Sequence, residues 1–416
     1  MANNNVQSNL LQRNILSDCA STIQLVQFNI ISSRVGAPLR NRRLFSDIIN
    51  ALPDGIEIII ITNDEDYFSM CTSFCANINI SCVMSPANTN ISVWAQDPYL
   101  VLGGEMGEVL LGSRAFDRID DKLIPQAIAT HIGCKYMESL LSFEGGNIVS
   151  DECYVYIGAN TIMQNARRLQ VDKKVIISQF EKELGKIVVM LGPYPQPMGH
   201  IDTIITPLGN KTLVIADPEM GVEIARQALA DVPDEITSME QRFEASFFSD
   251  GCTQLQMPDG SWLQSPDIVG RTQEAIKDSL DLVLVLNRLV VNLERNGFKI
   301  YRMPFLYKAL PSYAEVQSTQ GGSQSPEVEV NNAAPDPRHG SQFPCFSYNN
   351  VLLDKAGDQL VVYVPQYGWP SLDNAACQKW RSLGYHPEPI PGFSTASMFG
   401  GQLRCMTKVI RRKPEQ

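Results

Sequence analysis

Long apolar runs, clusters of basic residues and histidine are what this sequence has least of. No uninterrupted stretch approaches the roughly 20 apolar residues that cross a bilayer. The longest runs, such as Ile56 to Ile61 with Glu57 as its one break, have the length of a strand. The opening MANNNVQSNLLQRNILSDCAS has no basic region followed by an apolar one, so no secretory signal is read there. Lysine and arginine number 34 against 45 acidic residues, for a net charge of -11. That balance argues against a nucleic-acid backbone as partner, which needs clustered cations, and it suits a small cationic substrate. Ten cysteines are scattered without the spacing of a disulfide framework, which points to reduced thiols in the cytoplasm, export without a cleavable signal remaining open. Cys71 and Cys75 lie one helical turn apart. With no second pair at ligand spacing they read as core, and no metal or cofactor is expected. Neither a membrane nor a nucleic acid is an expected partner, and a homodimer stays open.

What is present is a chain of 416 residues, 44% of them apolar, enough for a large core. Apolar periodicity alternates between strand and helix. Ile23 to Ile31 and Ile56 to Thr62 read as strands flanking a helix over Asn41 to Leu52, with Ile78 to Met84 following. The rhythm continues with strands near Val109 to Leu111 and Tyr154 to Ile157, a helix over Lys173 to Leu184, and strands at Lys186 to Leu191 and Thr212 to Ala216. A long helix over Ile268 to Glu294 is stopped by Asn296-Gly297 before a strand at Lys299 to Met303. Residues 219–265 read as a helical insertion. Residues 312–342, rich in Ser, Gln, Gly, Asn and Pro, read as a mobile loop, either a lid or a passive insertion. Phe346 to Leu353 and Leu360 to Val364 read as a hairpin around Lys355-Ala356-Gly357-Asp358, and Leu372 to Leu383 as a helix. Residues 1–20 read as a flexible polar extension, 21–416 as a single catalytic domain, and Arg411-Arg412-Lys413-Pro414 as part of a basic tail.

Four short segments carry chemistry: Trp94-Ala95-Gln96-Asp97, Phe143-Glu144-Gly145-Gly146-Asn147, Gly199-His200-Ile201-Asp202 and Gly400-Gly401-Gln402-Leu403-Arg404-Cys405. Each alone has a plain structural explanation. An Asp after an indole is a turn or cap residue, paired glycines mark a turn, and a free cysteine is a small buried hydrophobe. Of the four histidines only His200 has an aspartate two residues on. In an extended segment those two side chains share a face and can converge on one pocket. The glycine pair before Cys405 would let backbone approach a ligand closely.

Taken together and in order, the four segments resemble those of the guanidino-group modifying superfamily, which includes agmatine deiminases, arginine deiminases and protein-arginine deiminases. Ser347-Tyr348-Asn349-Asn350 and Val364-Pro365-Gln366-Tyr367-Gly368 are similar to the segment leading into the final module of agmatine deiminases. The resemblance implies an α/β fold, a pentein-type propeller of five ββαβ modules around a central site. It further implies Cys405 as nucleophile, His200 as acid then base, Asp97 and Asp202 as holders of the guanidinium, and Glu144 as the residue orienting His200. Trp94, Gln96, Asn147, Gly401 and Arg404 would line the substrate. The implied reaction is cysteine-dependent hydrolysis, through an amidino-thioether, to a ureido product and ammonia, with no cofactor. Two residues depart from the pattern. Gln96 stands where agmatine deiminases have arginine, closer to protein-arginine deiminases, and Arg404 stands where both groups usually place histidine. An amidinotransferase using the same cysteine, and an inactive binding protein on the same fold, are the alternatives. Free arginine, agmatine, a methylated arginine and an arginine-containing peptide all present the same group.

Overall fold

Strand pairing in the computed structural model follows one rule five times: an antiparallel pair is extended by a parallel strand reached through a helix. The structure describes residues 13–19, 21–31, 42–74, 79–86, 89, 91–104, 107–116, 118–246, 255–256, 262–263, 270–308, 344–398 and 401–413. Tyr99–Gly103 pairs antiparallel with Val109–Gly112, which pairs parallel with Lys135–Glu138 after the helix Ile124–Ile132. Ile148–Ser150, Tyr154–Gly158 and Ile187–Leu191 repeat the pattern, as do Ile205–Gly209, Thr212–Asp217 and Lys299–Leu306, and then Leu352–Ala356, Gln359–Pro365 and His386–Ile390. In the fifth set Thr407–Lys413 is antiparallel to Thr22–Ile30, which is parallel to Glu57–Thr62, itself parallel to Ile80–Met84. The last strand therefore completes a sheet begun by the first long one.

Local sequence explains these elements. Glu57–Thr62 carries four consecutive isoleucines because, as an interior parallel strand, it is covered on both faces. Lys173–Leu184 begins where Asp172 accepts from Lys174 N at 2.8 Å and ends where Gly185 takes φ 71°. Pro218–Asp231 is capped by Asp217, which accepts from Met220 N at 3.1 Å, with Pro218 in the first turn. A Cβ at Gly221 would lie 2.0 Å from Phe305 O, so the helix backbone rests directly on Lys299–Leu306. The largest core cluster includes Phe346, Tyr348, Tyr367 and Trp369, which meet edge to face at 5.2 to 5.3 Å, and Cys405 belongs to the same cluster.

Three sequence readings change. Phe346 to Leu353 is not one strand: Phe346–Ser347 pairs with Lys299–Leu306, and only Leu352–Ala356 forms the hairpin, because Tyr348 to Asn350 turn away to make hydrogen bonds of their own. The basic tail is the strand Thr407–Lys413, whose Lys408 and Arg412 are buried. Within residues 1–20, Asn14–Ile15 pairs with Tyr99–Gly103, and Asp18 N donates to Ser150 O at 2.8 Å while Ser150 N donates to the Asp18 carboxylate. Residues 1–12 lie outside the described residues, as do 312–342, Cys75, the side chain of Cys71 and most of 219–265 beyond the helix Pro233–Ser246. Among the described residues no helix is long and apolar enough to cross a membrane.

Candidate active site

The turn carrying Trp94 to Asp97 is set by Asp121, a fully buried carboxylate that accepts from Ser92 N and Ser92 Oγ, each at 2.6 Å. Asp97 then meets the glycine pair: Gly145 N donates to Asp97 O at 2.9 Å, and Gly146 N donates to Asp97 Oδ1 at 3.0 Å. Both glycines are needed for close approach rather than for unusual dihedrals. A Cβ on Gly145 would lie 2.1 Å from Gln96 O, and one on Gly146 would lie 2.3 Å from His200 Nδ1.

His200 sits between two carboxylates, its Nε2 2.7 Å from Glu144 Oε2 and its Nδ1 3.5 Å from Asp97 Oδ1. Burial alone would strip its proton, but the Asp97 and Glu144 charges outweigh that and push its pKa up to about 10. Asp97 is also burdened by burial, yet His200 and Arg118 hold it below the ordinary carboxylate value. The expected extended geometry of His200 and Asp202 is corrected: His200 is extended, but Ile201–Thr203 forms a single 3-10 turn. A one-turn helix, not a shared strand face, carries Asp202 inward, and its pKa is raised by burial despite the nearby charges of Arg404 and His200.

Cys405 Sγ lies 3.7 and 3.9 Å from the two carboxylate oxygens of Asp202. Asn350 brackets the residue, its Nδ2 3.2 Å from Sγ and its Oδ1 accepting from Cys405 N at 3.1 Å. Burial, followed by the Asp202 and Asp97 charges, holds the thiol well above its usual pKa. The Arg404 guanidinium faces carboxylates and backbone, with Nη1 on Asp202 Oδ2 at 2.9 Å and Nη2 on Asp18 Oδ1 at 3.0 Å and on Ile148 O at 3.1 Å.

The other expected residues take varied places. Trp94 lies against Gly401, where a Cβ would strike the indole at 2.2 Å. Gln96, with its amide oxygen turned toward Arg404, accepts from Nη2 at 2.9 Å and Nη1 at 3.2 Å. Asn147 holds the turn that carries His200, accepting from Ile201 N at 3.3 Å and from Gln196 Nε2 at 3.1 Å while donating to Thr161 Oγ1 at 2.7 Å. Three residues escaped the sequence reading: Asn350, Arg118 and Asp18. Asn350 lay inside a segment singled out for its resemblance, and that was its signal. Arg118 had none, although it donates to Asp97 Oδ2 at 2.6 Å and to Asp121 Oδ2 at 2.9 Å.

Ligand atoms of Asp97, Glu144 and His200 all lie within 4.8 Å of one another, a spacing that can hold a cation. Here the imidazole and Arg118 supply the positive charge between those carboxylates. A planar guanidinium, with donors in a fixed fork, is another cation that such a set of carboxylates can receive.

Solved structures share this architecture. The agmatine deiminase of Enterococcus faecalis aligns with a TM-score of 0.59 and 14% identity over 98% of this chain and 98% of that one. The C. jejuni agmatine deiminase aligns with a TM-score of 0.58 and 14% identity over 97% of each chain. A variant of the C. jejuni enzyme with substrate bound aligns with a TM-score of 0.58 and 12% identity, again over 97% of each. No curated protein matches the sequence. The sequence model of the Porphyromonas-type peptidyl-arginine deiminases matches residues 39–410, and the chain belongs to that family of guanidino deiminases.

Proposed function

We propose that the chain hydrolyses the guanidino group of an arginine-type substrate to a ureido group and ammonia, with Cys405 as nucleophile. What supports the reading above all is that His200, two carboxylates within 3.5 Å of it, and a cysteine 3.7 Å from a third carboxylate form one partly buried polar cluster drawn from four distant segments. A bound guanidinium adds the positive charge that a buried thiol between carboxylates needs in order to ionise, its proton passing to solvent. The thiolate attacks the central carbon, the C–N bond breaks, and the leaving nitrogen takes the His200 proton, leaving a cationic amidino-thioether on Cys405. Water then adds to that carbon as neutral His200 removes its proton. The C–S bond breaks, the remaining hydroxyl proton goes to solvent, and the ureido product departs.

We assign arginine within a peptide as the first substrate class, on the family description and on Gln96, with agmatine second. We also infer that the five sheets close into a propeller around the site, since Thr407–Lys413 completes a sheet with Thr22–Ile30. The deciding experiment measures ammonia and ureido product from an arginine-containing peptide, agmatine and free arginine, with no amine acceptor present. Ammonia release by the intact chain and its loss in Cys405→Ala are expected. Turnover only with an added amine would mean amidino transfer, and unchanged rates in Cys405→Ala would refute the assignment.

A further inference from the structure

Asp18 lies on none of the four chemical segments, yet it is tied to the cysteine loop. The strap that carries it is pinned along its length: Leu16 N donates to Val101 O at 2.8 Å, Ser150 Oγ donates to Leu16 O at 2.8 Å, and Ser150 N donates to Asp18 Oδ2 at 2.8 Å. Arg412 Nη2 donates to the Asp18 carbonyl at 3.1 Å. Its remaining oxygen, Oδ1, accepts from Arg404 Nε at 3.3 Å and Nη2 at 3.0 Å. Arg404 is almost wholly buried and has two carboxylates to choose between, and it gives Asp202 only Nη1. A buried guanidinium presents its two-donor edge to a carboxylate whenever geometry allows. Here Asp18 takes that edge.

We propose, resting on the reading of the site above, that Asp18 is a positioning residue for the cysteine pocket: it holds Arg404 so that one nitrogen alone reaches Asp202 Oδ2, leaving Asp202 Oδ1, 3.9 Å from Cys405 Sγ, unclaimed by the protein's own guanidinium. Without the Asp18 charge, Arg404 turns its fork onto Asp202 and competes there with an incoming guanidinium. The groups that bear on the thiol are Asp202 and Asp97, with His200, Arg404 and Lys408 acting on those carboxylates. Fuller pairing of Arg404 with Asp202 weakens the negative field at Cys405, so the thiol ionises more easily as substrate binds less well. An anchor of merely structural kind would produce neither effect.

The test uses the full chain with Asp18→Asn, Arg404→Gln and the double variant. Alkylation of Cys405 by iodoacetamide, followed on its own peptide by mass spectrometry, is measured against pH. Asp18→Asn should raise the rate at pH 8 about tenfold, but should change it little once Arg404 is glutamine, because the coupling runs through that side chain. With an arginine-containing peptide, KM should rise about tenfold in Asp18→Asn while kcat changes less, the mark of competition for binding. Asp18→Glu, which keeps the charge on a longer arm, should alkylate about threefold faster than wild type, and it serves alone if Asp18→Asn does not fold. Wild-type alkylation profiles in the Asp18 variants, or equal effects with and without Arg404, overturn the proposal. An intact chain that turns over no guanidino compound sinks the proposed function, while the alkylation series still decides the role of Asp18.

Discussion

In the proposed mechanism His200 gives up a proton and Cys405 must lose one before it attacks, and the surroundings of the two differ accordingly. Two carboxylates keep the imidazole charged through neutral pH, with its pKa near 10, which suits the acid role proposed for it. Replacing it by asparagine should cost about 10²- to 10⁴-fold in ammonia release, the usual worth of general acid–base catalysis. Because the proton is lost only as pH rises through about 10, the alkaline limb of the rate profile should fall there when His200 governs it. Glu144→Gln removes one of the two charges that raise it, and should bring that limb toward neutrality. A limb that does not move in Glu144→Gln would deny His200 the acid role. Asn350→Ala removes the donor to Sγ and the acceptor for Cys405 N, and should lower kcat/KM by about tenfold with little change in thermal midpoint.

At the level of elements, close approach governs what can be changed. Gly221→Ala would set a methyl against Phe305 O, a backbone atom that cannot step aside without shifting Lys299–Leu306. We expect a loss of about 1–3 kcal/mol in the urea midpoint analysis, the cost of overpacking, with kcat unchanged at low denaturant. A neutral outcome would mean the helix Pro218–Asp231 is free to slide. The same scale shows what could be read from sequence. Strands buried on both faces announced themselves as apolar runs: Ile56 to Thr62 is observed as Glu57–Thr62, and Lys173 to Leu184 agrees residue for residue because Asp172 and Gly185 mark its ends. Strands with polar or mixed composition did not. Thr407–Lys413 passed for a tail because its cations are solvated in most proteins, whereas here Lys408 is held over Tyr99 and Arg412 lies on backbone carbonyls. Of the site, the four segments were legible as motifs, but the roles of Asp18 and Arg118 depend on pairings across the chain that no local spacing encodes.

For the whole molecule, two buried cations make opposite demands on stability, and their balance can be tested. Folding raises the pKa of His200 from 6.5 to about 10, so its contribution is complete below 6.5 and is lost as pH rises toward 10. Lys408 behaves oppositely. Burial, and then the charge of Arg404, bring its pKa down from 10.5 to about 7, so above pH 7 the unfolded chain binds a proton that the folded one does not, and stability rises with pH. Each slope is about 1.4 kcal/mol per pH unit, and the two cancel from about pH 7 upward. Between pH 7 and 8.5 the buried thiols, whose ionisation is favoured in the unfolded chain, lower the stability of wild type and variants alike, so each variant is read against the wild type. Lys408→Met leaves the His200 slope unopposed, so that variant should lose about 2 kcal/mol more than the wild type across the same interval, and His200→Asn about 2 kcal/mol less. Urea denaturation at the two pH values measures both. If Lys408→Met tracks the wild type, the amine is charged in the folded chain throughout, and the cavity beside Gln96 and Arg404 is a better home for a cation than its burial implies.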